Sequence, residues 1–239
     1  MKLYGISLLP PLLPVVLALA GCDSGDAPVA PPSAPVGAVA RAPEVPVMGP
    51  ERRILALGDS LFAGYGVERG QGYPERLEAA LRARGVNARI ANAGVSGDTT
   101  AGGRQRLAFT LDSQERAPDL VVISLGGNDM LRGLPPQETR ANLDAILAEL
   151  KRRRIPAVLM GMLSPPNLGA DYRGQFDPIY PALARKYDAA LVPFFLSPVF
   201  GKPGLVQTDR IHPTAEGIAA MVAATAGTVA DKLPPAKPG

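Results

Sequence analysis

The stretch ILALGDSL, residues 54–61, reads as a buried strand that runs into a tight turn and then a helix. Its first four residues are apolar with no polar alternation, and a short continuous run of that kind suits a strand covered on both faces. Four more such runs follow, at 88–91, 120–125, 157–162 and 189–192. Between them, apolar residues recur at helical spacing. Leu143, Ile146, Leu147 and Leu150 form one set; Tyr180, Leu183, Ala184 and Tyr187 a second; Ile218, Met221, Val222 and Thr225 a third. Pro74 suits the first turn of a further helix. Strand–helix alternation predicts an α/β fold, a parallel sheet with helices on both faces. In such a sheet the functional site lies beyond the carboxyl ends of the strands.

The folded domain is predicted over residues 52–233. Ahead of it, 1–21 carry one cation, Lys2, and an apolar run that is short for a membrane span and contains Pro10, Pro11 and Pro14. That segment reads as a secretory signal. It ends in Leu19-Ala20-Gly21-Cys22, which resembles the bacterial lipobox. The resemblance implies lipidation of Cys22 and export, with a lipid anchor in a membrane on the periplasmic side. Asp23 directs the expectation to the inner membrane, with the outer membrane as the alternative. Residues 22–51 are Pro- and Ala-rich and read as a spacer tether; 234–239 read as a disordered tail.

Composition narrows the partners. Net charge is +3 with no Trp, and the basic residues form no stripe interleaved with aromatics, so nucleic acid is not expected. The densest basic run, Lys151 to Arg154, closes a helical pattern, where cations suit the negative end of the helix dipole. A single Cys and a single His rule out an internal disulfide and the usual zinc sites. No metal or cofactor is implied, and a monomer is expected.

Chemistry gathers where the strands end. Ser60 follows the first run, on a turn that would present its hydroxyl to the cleft. The second is followed by NAGVSGDTT (92–100), where glycine lets backbone approach a ligand closely. After the third comes GGND (126–129), in which Asn128 offers a neutral amide donor suited to an oxyanion. DRIHP (209–213) follows the fifth. There Asp209 can bond one ring nitrogen of His212 and leave the other for the serine, as acyl transfer requires. Each segment alone also reads as a turn or a helix cap. Their joint occurrence on the strand ends favours chemistry.

These four blocks resemble the SGNH (GDSL) hydrolases, most closely the thioesterase I/arylesterase/lysophospholipase branch, across nearly all of 53–232. The resemblance implies a flavodoxin-like three-layer α/β/α sandwich with a five-stranded parallel sheet, and a serine esterase without a cofactor. By it, Ser60 is the nucleophile and Asp209 and His212 complete a triad. Ser60 N–H, Gly94 N–H and the Asn128 amide form the oxyanion hole. The segments 130–136 and 164–169 border the acyl pocket, which assigns Met130, Leu131, Leu134, Pro135, Pro166 and Asn167 to substrate binding. A small acyl ester is the expected substrate. The order Ser, Asp, His is that of the α/β-hydrolases, whose G-x-S-x-G elbow is absent here; Ser96, between Val95 and Gly97, lacks that context. The rival readings are a polysaccharide deacetylase using the same residues, a non-catalytic binding lipoprotein, and a nucleotide-binding module. The last fits poorly, because Gly64, Gly66 and Gly70 have the wrong spacing for a dinucleotide fingerprint.

Overall fold

The computed structural model describes residues 47–235. The expected signal segment 1–21, Cys22 and its lipidation, most of the 22–51 tether and most of the 234–239 tail lie outside the described residues.

Five strands form one parallel sheet: β1 (Arg52–Gly58), β2 (Ala88–Gly94), β3 (Leu120–Ser124), β4 (Ala157–Met160) and β5 (Ala190–Val192). Their spatial order is β2-β1-β3-β4-β5. Eight helices connect and cover them: α1 (Ser60–Ala63), α2 (Tyr73–Ala83), α3 (Thr100–Asp112), α4 (Gly127–Leu131), α5 (Pro136–Arg152), α6 (Gly169–Phe176), α7 (Ile179–Tyr187) and α8 (Ala215–Lys232). Helices α2 and α8 pack together on one face, and α3, α5, α6 and α7 pack as a group on the other. This is the three-layer α/β/α fold.

Burial follows position in the sheet. The central strands β1, β3 and β4 have their apolar residues sealed on both faces, which is why they read as continuous apolar runs. Edge strands β2 and β5 are only partly covered. Strand β4 ends at Met160, two residues before the apolar run does. At Gly161 the chain turns so closely past Pro193 that a Cβ there would sit 2.5 Å from its carbonyl oxygen.

The connection from β1 passes through α1 and α2 on one face, and that from β3 through α4 and α5 on the other. The point where direction reverses, between β1 and β3, leaves a crevice at their carboxyl ends. An aromatic cluster fixes the floor on the α1 side. Phe62 stacks on Tyr73 with centroids 5.2 Å apart, and Phe195 meets Tyr73 edge-on at 4.8 Å. The Tyr73 hydroxyl bonds Thr225 Oγ1 at 2.6 Å, tying α2 to α8. Helix α1 is therefore held to α2 and to the segment after β5, and α2 in turn to α8.

Candidate active site

Ser60 is the first residue of α1, directly beyond β1. The Asp59 carboxylate caps that helix by accepting from Leu61 N–H at 3.0 Å. Gly58 is required just before it, since a Cβ there would lie 2.6 Å from the Phe62 ring and 3.0 Å from Ser124 O. Helix α1 stops after one turn at Gly64, whose φ of 76° is the left-handed conformation glycine adopts without strain.

The chain after β5 returns over the crevice. His212 Nε2 lies 2.8 Å from Ser60 Oγ, and its Nδ1 lies 2.6 Å from Asp209 Oδ2. An ionised carboxylate only accepts. Nδ1 therefore carries the proton, and Nε2 accepts from the serine hydroxyl. Asp209 Oδ1 also accepts from the backbone N–H groups of Ile211 and His212, at 2.9 and 3.0 Å. The hydrogen bond from the His212 ring, followed by that from the His212 backbone, pulls the Asp209 carboxyl down to about 2. The loop itself is pinned. Gln207 N–H donates to His212 O at 2.7 Å, the Gln207 amide donates to Tyr65 O and Pro213 O, and Val206 bridges Pro213. The Tyr65 ring covers one face of the imidazole, with centroids 4.4 Å apart.

Asn128 stands on α4, across the crevice from α1. Its Nδ2 donates to Asp98 O at 2.9 Å, and Asp59 Oδ2 is 3.4 Å away, too far for a strong bond. One of its two N–H groups is thus left weakly engaged. Asp59 is buried, and its burial pushes the carboxyl up to about 6.

The expected role of Gly94 needs correction. Its N–H already donates to Asn92 Oδ1 at 2.9 Å. Gly94 is the last residue of β2, paired with Gly58, and a Cβ on it would come within 2.4 Å of Ala63 N. Its smallness serves the packing of α1 on the sheet. Three residues on, Gly97 lies in the loop with φ 81°, and its N–H has no acceptor among the described residues. The Ser60 N–H is likewise unengaged. Gly97 also neighbours Asp98, the residue that Asn128 holds. Of the two glycines in NAGVSGDTT only Gly97 lies past the strand's end, a boundary set by the pairing of β2 and not by residue type.

The residues expected at the acyl pocket lie in two segments. Met130 and Leu131 are on α4, Leu134 and Pro135 follow it, and Pro166 and Asn167 are in a 3₁₀ turn before α6. The Tyr172 hydroxyl of α6 donates to Leu134 O at 3.2 Å and ties α6 to the segment after α4. An apolar cavity of about 630 Å³ lies elsewhere, among Leu196, Val199, Phe200, Val206, Arg210 and Ile211, and none of the six expected residues lines it.

The family model of the GDSL-like lipases/acylhydrolases matches residues 56–220, a span that contains all four blocks. The chain belongs to this family. It is 61% identical to a solved SGNH-hydrolase family esterase, AlinE4, over 78% of this chain and 99% of that one, with a TM-score of 0.67. Esterase TesA of Pseudomonas aeruginosa is 42% identical over 67% of this chain and 79% of that protein. The arylesterase of Vibrio mimicus is 41% identical over 69% and 81% respectively. The protein is thus an enzyme, a GDSL hydrolase of the esterase type.

Proposed function

We propose that this GDSL hydrolase cleaves carboxylic esters by two-step acyl transfer from Ser60. The observation that carries the reading is the unbroken hydrogen-bond chain Asp209–His212–Ser60, at 2.6 and 2.8 Å. In the first step Ser60 Oγ attacks the ester carbonyl carbon while His212 Nε2 takes its proton. The imidazolium then gives that proton to the departing alkoxide, leaving an acyl-serine and a free alcohol. Water repeats the attack with His212 again as base, and Ser60 and the carboxylic acid are released. Asp209, held ionised, keeps the tautomer and stabilises the imidazolium. Ser60 N–H, Gly97 N–H and the weakly engaged Asn128 N–H are the donors for the carbonyl oxygen as it gains charge.

The substrate is a small apolar ester, aryl or short- to medium-chain acyl, with lysophospholipid esters and thioesters in the same chemical range. The exposed Leu131 on α4 and, separately, the largely apolar cavity against the triad loop with Phe200 at it support an uncharged acyl group. The Leu19-Ala20-Gly21-Cys22 sequence supports lipidation at Cys22, which would hold a monomeric enzyme on the periplasmic side of a membrane.

Hydrolysis of p-nitrophenyl esters from acetate to palmitate tests the activity. Turnover with a short- to medium-chain optimum is expected. Activity confined to acetate would favour a deacetylase, and none on any chain by folded protein would remove the esterase reading. Fatty-acid labelling that is lost in Cys22→Ala tests the anchor.

A further inference from the structure

Asp129 is a carboxylate sealed in the interior, 1% exposed, and among the described residues its partners are hydrogen-bond donors and not an ion pair. Its Oδ2 accepts from Thr100 N–H at 2.8 Å. Its Oδ1 accepts from the Thr100 hydroxyl and from the Thr139 hydroxyl, the latter at 3.2 Å. Asn142 Nδ2 adds a bond to the Thr100 hydroxyl at 3.3 Å. One buried group thereby joins the first residue of α3, the short helix α4 and the body of α5. A buried charge is costly unless donors surround it. Here the donors are two hydroxyls and a backbone N–H at the positive end of α3.

The position of this knot is informative. Asp129 directly follows Asn128, and Thr100 closes the loop that carries Gly97. We propose that Asp129 is a positioning residue that holds the oxyanion donor Asn128 in place against the loop of Gly97. It rests on the oxyanion role given to those groups above. The same loop has other ties, but they lie nearer the surface. Asn128 reaches Asp98 O, Arg132 reaches Gly97 O at 2.6 Å, and Arg106 holds the Asp98 carboxylate at 2.8 Å. Only Asp129 binds the loop to α4 and to the rigid α5 together in a dry setting. Misplacement of catalytic donors by an ångström can cost about 10²-fold in rate.

Asp129→Asn tests this, because it keeps the shape but turns an amide NH₂ towards donors on Thr100 or Thr139. With p-nitrophenyl butyrate and the full chain, kcat falls by about 10- to 100-fold while KM stays within about twofold. The effect acts through Asn128, so in an Asn128→Ala background the same substitution costs less than about threefold. A purely structural role would lower activity equally in both backgrounds. Thr100→Ser retains the hydroxyl and the activity, and Thr100→Val loses both. That pair carries the comparison in the same two backgrounds if Asp129→Asn does not fold. Folded Asp129→Asn with unchanged kcat, a loss confined to KM, or equal losses in both backgrounds would overturn the proposal. Full kcat in Asn128→Ala alone would instead overturn the oxyanion reading beneath it.

Discussion

Replacing Asp59 with Asn is expected to stabilise the folded protein at pH 8 and to change little at pH 4. Burial pushes this carboxyl up to about 6 from an ordinary 3.8, outweighing the Leu61 N–H bond and the attraction of His212. A carboxyl raised in this way binds its proton more readily in the folded state than in the unfolded one. The fold therefore gains stability as pH falls from about 6 to about 4, and above that window it bears the full cost of a buried charge. At about 1.4 kcal/mol per pH unit, a separation of about two units amounts to about 3 kcal/mol at pH 8. The amide introduced by Asp59→Asn keeps an oxygen for Leu61 N–H and carries no charge. Urea unfolding of both proteins at the two pH values measures the difference. A gain of about 2–3 kcal/mol at pH 8, with a rise in Tm of roughly 2–4 °C per kcal/mol, is expected, shrinking towards zero at pH 4. An equal effect at both pH values, or a loss at pH 8, would refute burial as the cause.

Other substitutions read out the site. Asn128→Ala should lower kcat by about 10²–10³-fold without unfolding the protein, as circular dichroism and ester kinetics together would establish. Asp209→Asn should lower kcat by about 10⁴-fold, since the wrong imidazole tautomer then faces Ser60. The His212 hydrogen bond holds Asp209 down to about 2. Its contribution to stability is therefore present above its unfolded value and lost only as pH falls from about 4 to about 2, which an acid titration followed by fluorescence checks. Gly94→Ala puts a Cβ 2.4 Å from Ala63 N. It should destabilise by about 1–3 kcal/mol in thermal unfolding and depress activity by displacing α1.

The sheet was legible where burial is symmetric. Residues 54–57 and 120–123 are apolar without alternation because helices cover both faces, and runs that short suit a buried strand better than a helix. The edges were harder: β2 runs on through Asn92 to Gly94, polar and small residues with no strand signature. Helix α3 was hidden because it carries Gly102 and Gly103 and buries few large side chains, chiefly Leu107 and Leu111. Helix α4 lay inside GGND, where glycines suggest a turn; Gly126, at φ 109°, makes the turn and the helix begins one residue later. Ser60 and Asn128 could be read because each follows a strand directly, whereas Asp209 and His212, 17 and 20 residues beyond β5, stood out as Asp-x-x-His around the sole histidine. The choice between Gly94 and Gly97 could not be read. It depends on where β2 stops pairing and on Asn92 folding back to take the Gly94 N–H, and neither is encoded in residue type.

The central claim is that Ser60 carries the acyl group. Rapid mixing with p-nitrophenyl acetate at low pH, quenching, and peptide mass spectrometry tests it directly. One acetyl group on the peptide containing Ser60, absent from Ser60→Ala along with turnover, is the predicted result. Acetyl on another residue, or hydrolysis surviving in Ser60→Ala, would contradict it.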